Sequence, residues 1–149
     1  MPRIGINPSR SQTVSFTPPR VTVAVLVYAP HQAGYFQHRM DVTRLTLESI
    51  LANTEDPYEL LVFDNGSCPE MVAYLQELFA QGKIDRLVLS AHNIGKLNAL
   101  YRIAQLASGS VIAYSDDDVY HLKGWLPAHL AVLDTFPNVG AVTGFYIRQ

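Results

Sequence analysis

The sequence predicts an α/β fold in which a mainly parallel β-sheet is flanked by helices. The first observation is the run at residues 21–28, which is almost unbroken in β-branched and apolar residues, as in a strand buried on both faces of a parallel sheet. The second is that segments with strand and helix character alternate from there onward. The third is that turn residues separate the segments.

The first strand is followed by a loop, a helix and a second strand. Residues 30–37 predict the loop, and the helix after it ends near Asn53 and Thr54. The second strand is predicted at residues 59–63. The apolar residues of this first helix fall close to one face, and they are Met40, Leu45, Leu47, Ile50 and Leu51.

The second helix has a recognisable start and end. Ser67 and Glu70 have the spacing of a capping box, and Pro69 suits the first turn. Gly82 is expected to end this helix. A third strand follows at residues 84–89.

The remaining elements continue the alternation. A third helix is predicted at residues 96–107, a fourth strand at 111–114 and a fourth helix at about 124–133. A weak last strand is expected at 139–147. Residues 1–20 carry four prolines and no apolar period, so they predict an extended arm before a single domain at 21–149.

Composition excludes several classes of function. The 149 residues are 48% hydrophobic and 16% charged with a net charge of -2, which gives no basic surface for nucleic acid. The single cysteine, Cys68, cannot form an internal disulfide, so a cytoplasmic setting is expected. The apolar stretch at 21–29 is too short to cross a bilayer, although association with a membrane surface stays open.

Three adjacent carboxylates, at residues 116–118, follow the fourth predicted strand. Side-by-side carboxylates repel each other unless a cation or strong hydrogen bonds compensate. Mg²⁺ and Mn²⁺ favour such ligands, and Mg²⁺ typically takes one or two carboxylates together with water and substrate phosphate. The alternative is a solvated turn or a helix cap.

Polar segments follow all four predicted strands, at residues 29–30, 64–67, 93–96 and 116–118. Because ligands bind at the carboxyl ends of parallel strands, these segments are expected to share one edge. Asp64 could accept a nucleobase N–H there, whereas residues 65–67 are interpreted as a turn and cap. Lys96 could neutralise phosphate or be a solvated side chain.

Other reactive residues are weaker candidates. His121 lies three residues past the triplet and could contact a metal or phosphate. Cys68 is interpreted as a packing residue because no histidine-based triad accompanies it. Tyr35 and Phe36 could stack on a base, but the favoured interpretation is that they cover the core.

Taken together, the motifs resemble those of the family 2 glycosyltransferases, which are inverting enzymes with an A-type nucleotide-sugar-binding fold. The resemblance extends over about residues 21–144 and covers the donor-binding portion of the family. Besides the first strand, it rests on the segments at residues 46–51, 61–67, 93–99, 115–119 and 124–126.

The resemblance implies a role for each polar segment. It implies that Asp64 contacts the donor base, uracil, and that residues 116–118 form the Asp-x-Asp motif. Mn²⁺ or Mg²⁺ would be held by Asp118 and Asp116. The nucleotide-sugar site implied in this way consists of Ala29, Pro30, Asp64, Asn93, Lys96, Asp116 and Asp117.

Transfer of a sugar from a nucleotide-diphosphate sugar to an acceptor hydroxyl is the implied reaction, and the acceptor could be a carbohydrate, lipid or protein. The family's catalytic Asp or Glu and its acceptor-binding segment lie downstream of the matched region. The 149 residues are therefore expected to bind the donor but to transfer sugar poorly on their own. An exposed sheet edge also leaves a homo-oligomer open.

Three alternatives compete with this interpretation. Haloacid-dehalogenase-like phosphatases also use Asp-x-Asp, but on the first core strand. A nucleotidyltransferase of related fold would carry a Gly-rich basic loop after the first strand, and residues 29–34 are not such a loop. A non-catalytic donor-binding or assembly module of the same fold is the third alternative.

Overall fold

The structure is a computed structural model that describes residues 15–144 together with Gly5, Asn7 and Ser9. Its centre is a parallel four-stranded sheet in the order β3-β2-β1-β4. The α/β fold with a parallel sheet is thus confirmed. The strands are β1 (Val21–Val27), β2 (Tyr58–Asp64), β3 (Arg86–Leu89) and β4 (Val111–Asp116).

In the described residues, four α-helices connect and cover the strands, and they are α1 (Arg39–Asn53), α2 (Pro69–Ala80), α3 (Lys96–Leu106) and α4 (Trp125–Thr135). The larger core lies on one face of the sheet, where α1, α2 and α4 contribute Ile50, Leu75 and Leu126. On the other face, α3 packs Ala99 and Ile103 against β1 and β2. Burial of β1 on both faces explains its continuous apolar sequence.

The buried face of α1 is partly polar, which the apolar pattern did not predict. Leu45 was expected to point inward, but it is 54% exposed. The buried face carries Thr43, Thr46 and Ser49 beside Leu47 and Ile50. The reason is that α1 packs against polar groups, because the Ser49 hydroxyl accepts the backbone N–H of His121 at 3.0 Å.

The start of α2 differs from the predicted capping box. Cys68 occupies the N-cap position and makes no side-chain cap bond. Ser67 instead uses its Oγ to accept the backbone N–H of Ala29 at 2.9 Å. The predicted end is confirmed, because Gly82 has φ +69. There the N–H groups of Gly82 and Lys83 bond back to Phe79 and Leu78 in a Schellman motif.

Two strand limits and the last element were also predicted wrongly. Strand β3 starts at Arg86 because Asp85 uses its carboxylate to accept the N–H of Leu60 at 2.7 Å. Strand β4 continues through Asp116, so the first carboxylate of the triplet belongs to the sheet. Residues 139–144 form no strand, and 145–147 of that prediction lie outside the described residues.

The strand order explains why one edge of the sheet can hold a site. The connection after β1 leads to β2 on one side, whereas β4 lies on the other side. The crevice between diverging connections at the carboxyl ends is where ligands bind in open parallel sheets. In the described part of the chain, no helix is both long and apolar enough to span a membrane.

Candidate functional site

A cavity of about 360 Å³ lies at the carboxyl edge of the sheet, where the chain leaves β1 and β4. Its walls include the triplet, Lys96, Asn65, Asn93 and Arg39. The predicted convergence of polar segments is therefore observed for three of the four strands. A larger cavity of about 650 Å³ lies along β4 and α4, but none of the described residues that line it is acidic, Lys or Arg.

Asp116 is the last residue of β4 and pairs with a cation. Its Oδ1 accepts a hydrogen bond from Lys96 Nζ at 2.7 Å and another from the Tyr114 hydroxyl. Burial alone would raise the pKa of Asp116, but these two bonds and the charge of Lys96 outweigh it and hold the pKa below its usual value. Asp116 is therefore a carboxylate at neutral pH.

Asp117 is buried and held from three directions. Its Oδ2 accepts the backbone N–H of Tyr28 and the hydroxyl of Thr43, each at 3.3 Å. Its Oδ1 accepts Arg39 Nη1 at 3.1 Å. Burial raises the pKa of Asp117, although the charge of Arg39 opposes that shift. This side chain links β1, α1 and β4 beneath the cavity.

Asp118 differs from its neighbour because half of its side chain, 51%, is exposed. Its described partner is the same Arg39 Nη1, which donates to Asp118 Oδ2 at 3.2 Å. An exposed oxygen ligand at the cavity wall is available to a cation from solvent. Within the triplet, Asp118 is thus the residue best placed to take a metal.

Asp64 ends β2 and has one unpartnered oxygen. Its Oδ2 accepts the N–H groups of Gly66 and Ser67 at 3.2 Å each. Its Oδ1 is buried and has no hydrogen-bond partner among the described residues. A buried acceptor without a donor is unfavourable, so this oxygen is chemically suited to a donor group. Asp64 is itself fully buried and does not line the cavity, although the next residue, Asn65, does, so its contact with a base stays a prediction.

Asn65 lies next to Asp64 and joins two of the polar loops, where a simple turn was expected. It donates from Nδ2 to Asn93 Oδ1 at 3.0 Å and accepts the N–H of Ile94 at 2.9 Å. Gly66 allows the close approach, because a Cβ there would lie 2.6 Å from the backbone carbon of His92. The loops after β2 and β3 are therefore fixed to each other.

Several candidates lie away from the cavity or have other partners. Ala29 is fully buried, and neither it nor Pro30 lines the cavity, so their contact with a nucleotide stays a prediction. His121 packs edge-on against Trp125, 4.5 Å between ring centroids, and does not line the cavity either. Burial lowers the pKa of its imidazole, which favours a neutral packing residue.

The expectation that Tyr35 and Phe36 cover the core is wrong. Tyr35 is 83% exposed, and Phe36 is partly buried beside Tyr28 and lines the cavity. Both residues lie in a short 3-10 turn at Gly34–Phe36, and the guanidinium of Arg39 lies 5.9 Å from the Tyr35 ring centroid. Cys68, in contrast, is part of the core as expected.

The acidic residues fit a metal that takes few protein ligands. In the part of the chain that the structure describes, no three His, Cys, Asp or Glu residues are grouped so that they could hold a metal ion. Asp118 and Asp116 could instead supply one or two hard oxygen ligands, which is the number Mg²⁺ typically takes when phosphate oxygens complete its shell. The donor set therefore fits the predicted Mn²⁺ or Mg²⁺, shared with a ligand.

Sequence reasoning missed three residues of the site: Arg39, Thr43 and Tyr114. Thr43 belongs to the buried polar positions at 43, 46 and 49, whose spacing of three is a helical signal that an apolar pattern overlooks. Arg39 contacts Asp117, which lies 78 residues later in the sequence. Tyr114 contacts Asp116, which lies two residues later. Nothing local signals the contact of Arg39. Tyr114 and Asp116 are two residues apart on β4, so their side chains share one face of the strand, a signal that was overlooked because the strand was predicted to end at residue 114.

Comparison with known sequences gives the family. The sequence profile described as Glycosyl transferase family 2 matches residues 38–149. The chain belongs to glycosyl transferase family 2. The resemblance inferred from the motifs is thus confirmed, and the family 2 match includes the Lys96 segment and the acidic triplet.

Individual relatives of this family 2 chain are considerably longer. It is 30% identical over 127 residues to the glucosyl-dolichyl phosphate glucuronosyltransferase of Haloferax volcanii, an alignment that covers 84% of this chain and 37% of the relative. The chain thus spans little more than a third of that protein.

Solved structures share the fold. TarS 1–349 of S. aureus superposes with a TM-score of 0.60 at 18% identity, over 77% of this chain and 32% of TarS. The same values hold for its complex with UDP. At this identity the likeness establishes the A-type glycosyltransferase fold.

Proposed function

We propose that this chain is the donor-binding part of a glycosyltransferase that transfers a sugar from a UDP-sugar to an acceptor hydroxyl with inversion. The observation that carries the proposal is the unpartnered, buried Oδ1 of Asp64. Asp64 does not itself line the cavity, but the next residue, Asn65, does, together with the triplet and Lys96. An acceptor for a base and charged groups for a diphosphate are thus close together, and UDP is the ligand bound in one solved neighbour.

Each polar group has a role in this proposal. Asp64 accepts the N–H of the uracil imide. The hydrogen bond between Asn65 and Asn93 fixes the loop that follows Asp64. Lys96 and Asp116 face the ribose and diphosphate, while Asp118 offers its exposed carboxylate to Mn²⁺ or Mg²⁺. Such a cation, when bound, stabilises the negative charge that develops on the departing nucleoside diphosphate.

The proposal is tested by calorimetric titration of the chain with UDP, with and without Mn²⁺. We expect binding that requires the metal and that Asp118→Asn abolishes or weakens by about tenfold or more. The matched control is Asp41→Asn. Asp41 is exposed on α1, and its carboxylate makes a loose pair with Arg44 at 3.8 Å. Equal UDP and Mn²⁺ binding by Asp118→Asn and the parent chain would contradict the site.

A donor-binding module without transfer is the second candidate. The observation that favours it is that the acidic side chains lining the described cavity are those of the triplet alone, and all three are paired with Lys96 or Arg39. A free carboxylate suited to deprotonate an acceptor is therefore lacking among these lining residues. Efficient sugar transfer by the 149-residue chain would exclude this candidate.

A further inference from the structure

Arg39 is a cation at the cavity wall whose guanidinium is held in place. Its side chain is only 14% exposed, and Nη1 donates to the buried Asp117 at 3.1 Å. Asp117 is fixed in turn by the N–H of Tyr28 and the hydroxyl of Thr43. A group anchored in this way loses little conformational freedom when a ligand binds.

The described residues use only one of the three nitrogens of the Arg39 guanidinium. All of its hydrogen bonds to described residues leave from Nη1. Nη2 and Nε have no such acceptor, and 14% of the Arg39 side chain is exposed. Because Arg39 lines the cavity, these donors are available to a bound molecule.

The charges around the cavity require such a donor. The three carboxylates of the triplet carry about three negative charges, and Lys96 and Arg39 compensate two of them. A nucleoside diphosphate is itself an anion, so it needs cationic partners. Lys96 already makes a close 2.7 Å pair with Asp116 and is a point charge, whereas a guanidinium offers parallel donors that match phosphate oxygens.

We propose that Arg39 binds the diphosphate of the donor through Nη2 and Nε while Nη1 stays on Asp117. Arg39 is then a ligand-binding residue whose anchor is the buried middle carboxylate of the triplet, and Asp117 is a positioning residue. This inference rests on the proposed function, because it takes a nucleoside diphosphate as the ligand of the cavity.

The test compares UDP with uridine, which has the same base and ribose but no phosphate. Dissociation constants are measured by NMR titration of isotopically labelled chain for the parent, Arg39→Lys and Arg39→Gln. Arg44→Gln is the matched control, since Arg44 lies on the same helix, is half-exposed and does not line the cavity. The UDP titrations are repeated at increasing Mn²⁺ until the affinity no longer changes.

We expect both Arg39 variants to lose about tenfold or more in UDP affinity at saturating Mn²⁺, the effect of losing a charge-assisted hydrogen bond. Their uridine affinity should stay within about twofold of the parent, because the base and ribose contacts are intact. Unchanged UDP affinity, an equal loss for uridine, or a defect that high Mn²⁺ removes would each overturn the inference.

Arg39→Gln leaves the buried Asp117 carboxylate without its cation and could therefore fail to fold. In that case the double variant Arg39→Gln/Asp117→Asn removes the carboxylate charge, and it must show the same selective loss of UDP affinity. If the parent chain binds neither UDP nor uridine, the proposed function itself fails. If the parent chain binds UDP but the Arg39 variants lose UDP and uridine affinity equally, only the role of Arg39 is overturned.

Discussion

Asp64 illustrates how one atom can distinguish a binding residue from a structural one. Both N–H groups that contact it, from Gly66 and Ser67, bond to Oδ2, and this oxygen alone would suffice to hold the turn after β2. Oδ1 is buried without a partner among the described residues. Leaving a buried acceptor unpaired costs about 1–3 kcal/mol, and a donor group supplied by a ligand would remove that cost.

Substitution of Asp64 separates these two roles. Asp64→Asn keeps the size of the side chain and one oxygen for the turn, but it places an amide donor where the free acceptor was. We expect UDP affinity to fall about tenfold or more, while the free energy of unfolding stays unchanged or rises. Titration with UDP and urea denaturation measure the two effects, with Asp41→Asn as the exposed control.

A clear loss of stability without loss of UDP affinity would mean that Asp64 serves the turn alone. The same comparison can be made with uridine, because the proposed contact is to the base. If Asp64→Asn weakens uridine and UDP equally, the contact lies on the shared part of the two ligands.

At the scale of elements, Glu59 joins four segments at the opposite edge of the sheet. Its carboxylate lies near the start of β2, where it accepts hydrogen bonds from Thr22 in β1 and from Ser108 after α3. It also pairs with Arg86 of β3 at 2.7 Å. Because α3 begins at the candidate site and ends at this cluster, Glu59 fixes the far end of the helix that carries Lys96.

The charge of Glu59 is expected to stabilise the fold at neutral pH. Burial by itself would raise the pKa of Glu59, but the hydrogen bonds from Ser108 and Thr22 and the charge of Arg86 lower it overall. A carboxyl group whose pKa is lower in the folded state stabilises the fold above its unfolded pKa, about 4.3. That contribution is lost as the pH falls through the folded-state pKa.

Glu59→Gln should therefore reduce the free energy of unfolding by about 1.5–3 kcal/mol at pH 7, the range for hydrogen bonds to charged groups. The difference from the parent chain should shrink towards zero at the lowest pH at which both remain folded. Urea denaturation at the two pH values measures this, and the exposed Glu55→Gln is the control. A difference independent of pH would show that the charge of Glu59 is not responsible.

At the scale of the whole molecule, the sheet could be predicted from sequence because its signals are local. The continuous apolar residues of β1 predict a buried strand. Gly82 predicts the end of α2, because it adopts a left-handed backbone conformation that suits glycine. The polar buried face of α1 could not be predicted in this way. Thr43 and Ser49 are buried against groups 74 and 72 residues away, and nothing local signals those contacts.

The same distinction applies to the candidate site. That Asp64, Lys96 and the triplet lie at one edge could be predicted, because parallel strands bring their carboxyl ends together, whereas their roles in binding stay a prediction. The different environments of Asp117 and Asp118 could not be predicted from the sequence, because they depend on how deeply each side chain is buried. Asp117 is buried beneath the cavity, whereas Asp118 is half-exposed, although the two residues are chemically identical and adjacent in sequence.

One face of the molecule leaves several large apolar side chains exposed. Leu97 and Tyr101 on the outer surface of α3 are 82% and 62% exposed. On the sheet face that α3 covers only in part, Ile112 and Tyr114 of β4 are 40% and 38% exposed, in register with Thr22 and Ala24 of β1. Within the described residues, β4 pairs on one side only, so an apolar surface adjoins an open strand edge.

These features predict self-association of the 149-residue chain, because exposed apolar side chains and unpaired strand edges both favour contacts between molecules. We expect the average mass from light scattering to rise with protein concentration. Tyr101→Lys should shift that rise to higher concentration by adding a charge to the patch, whereas Phe79→Lys on α2, also exposed, should not. A constant monomer mass at every concentration would contradict the prediction and indicate that these apolar side chains stay exposed to solvent.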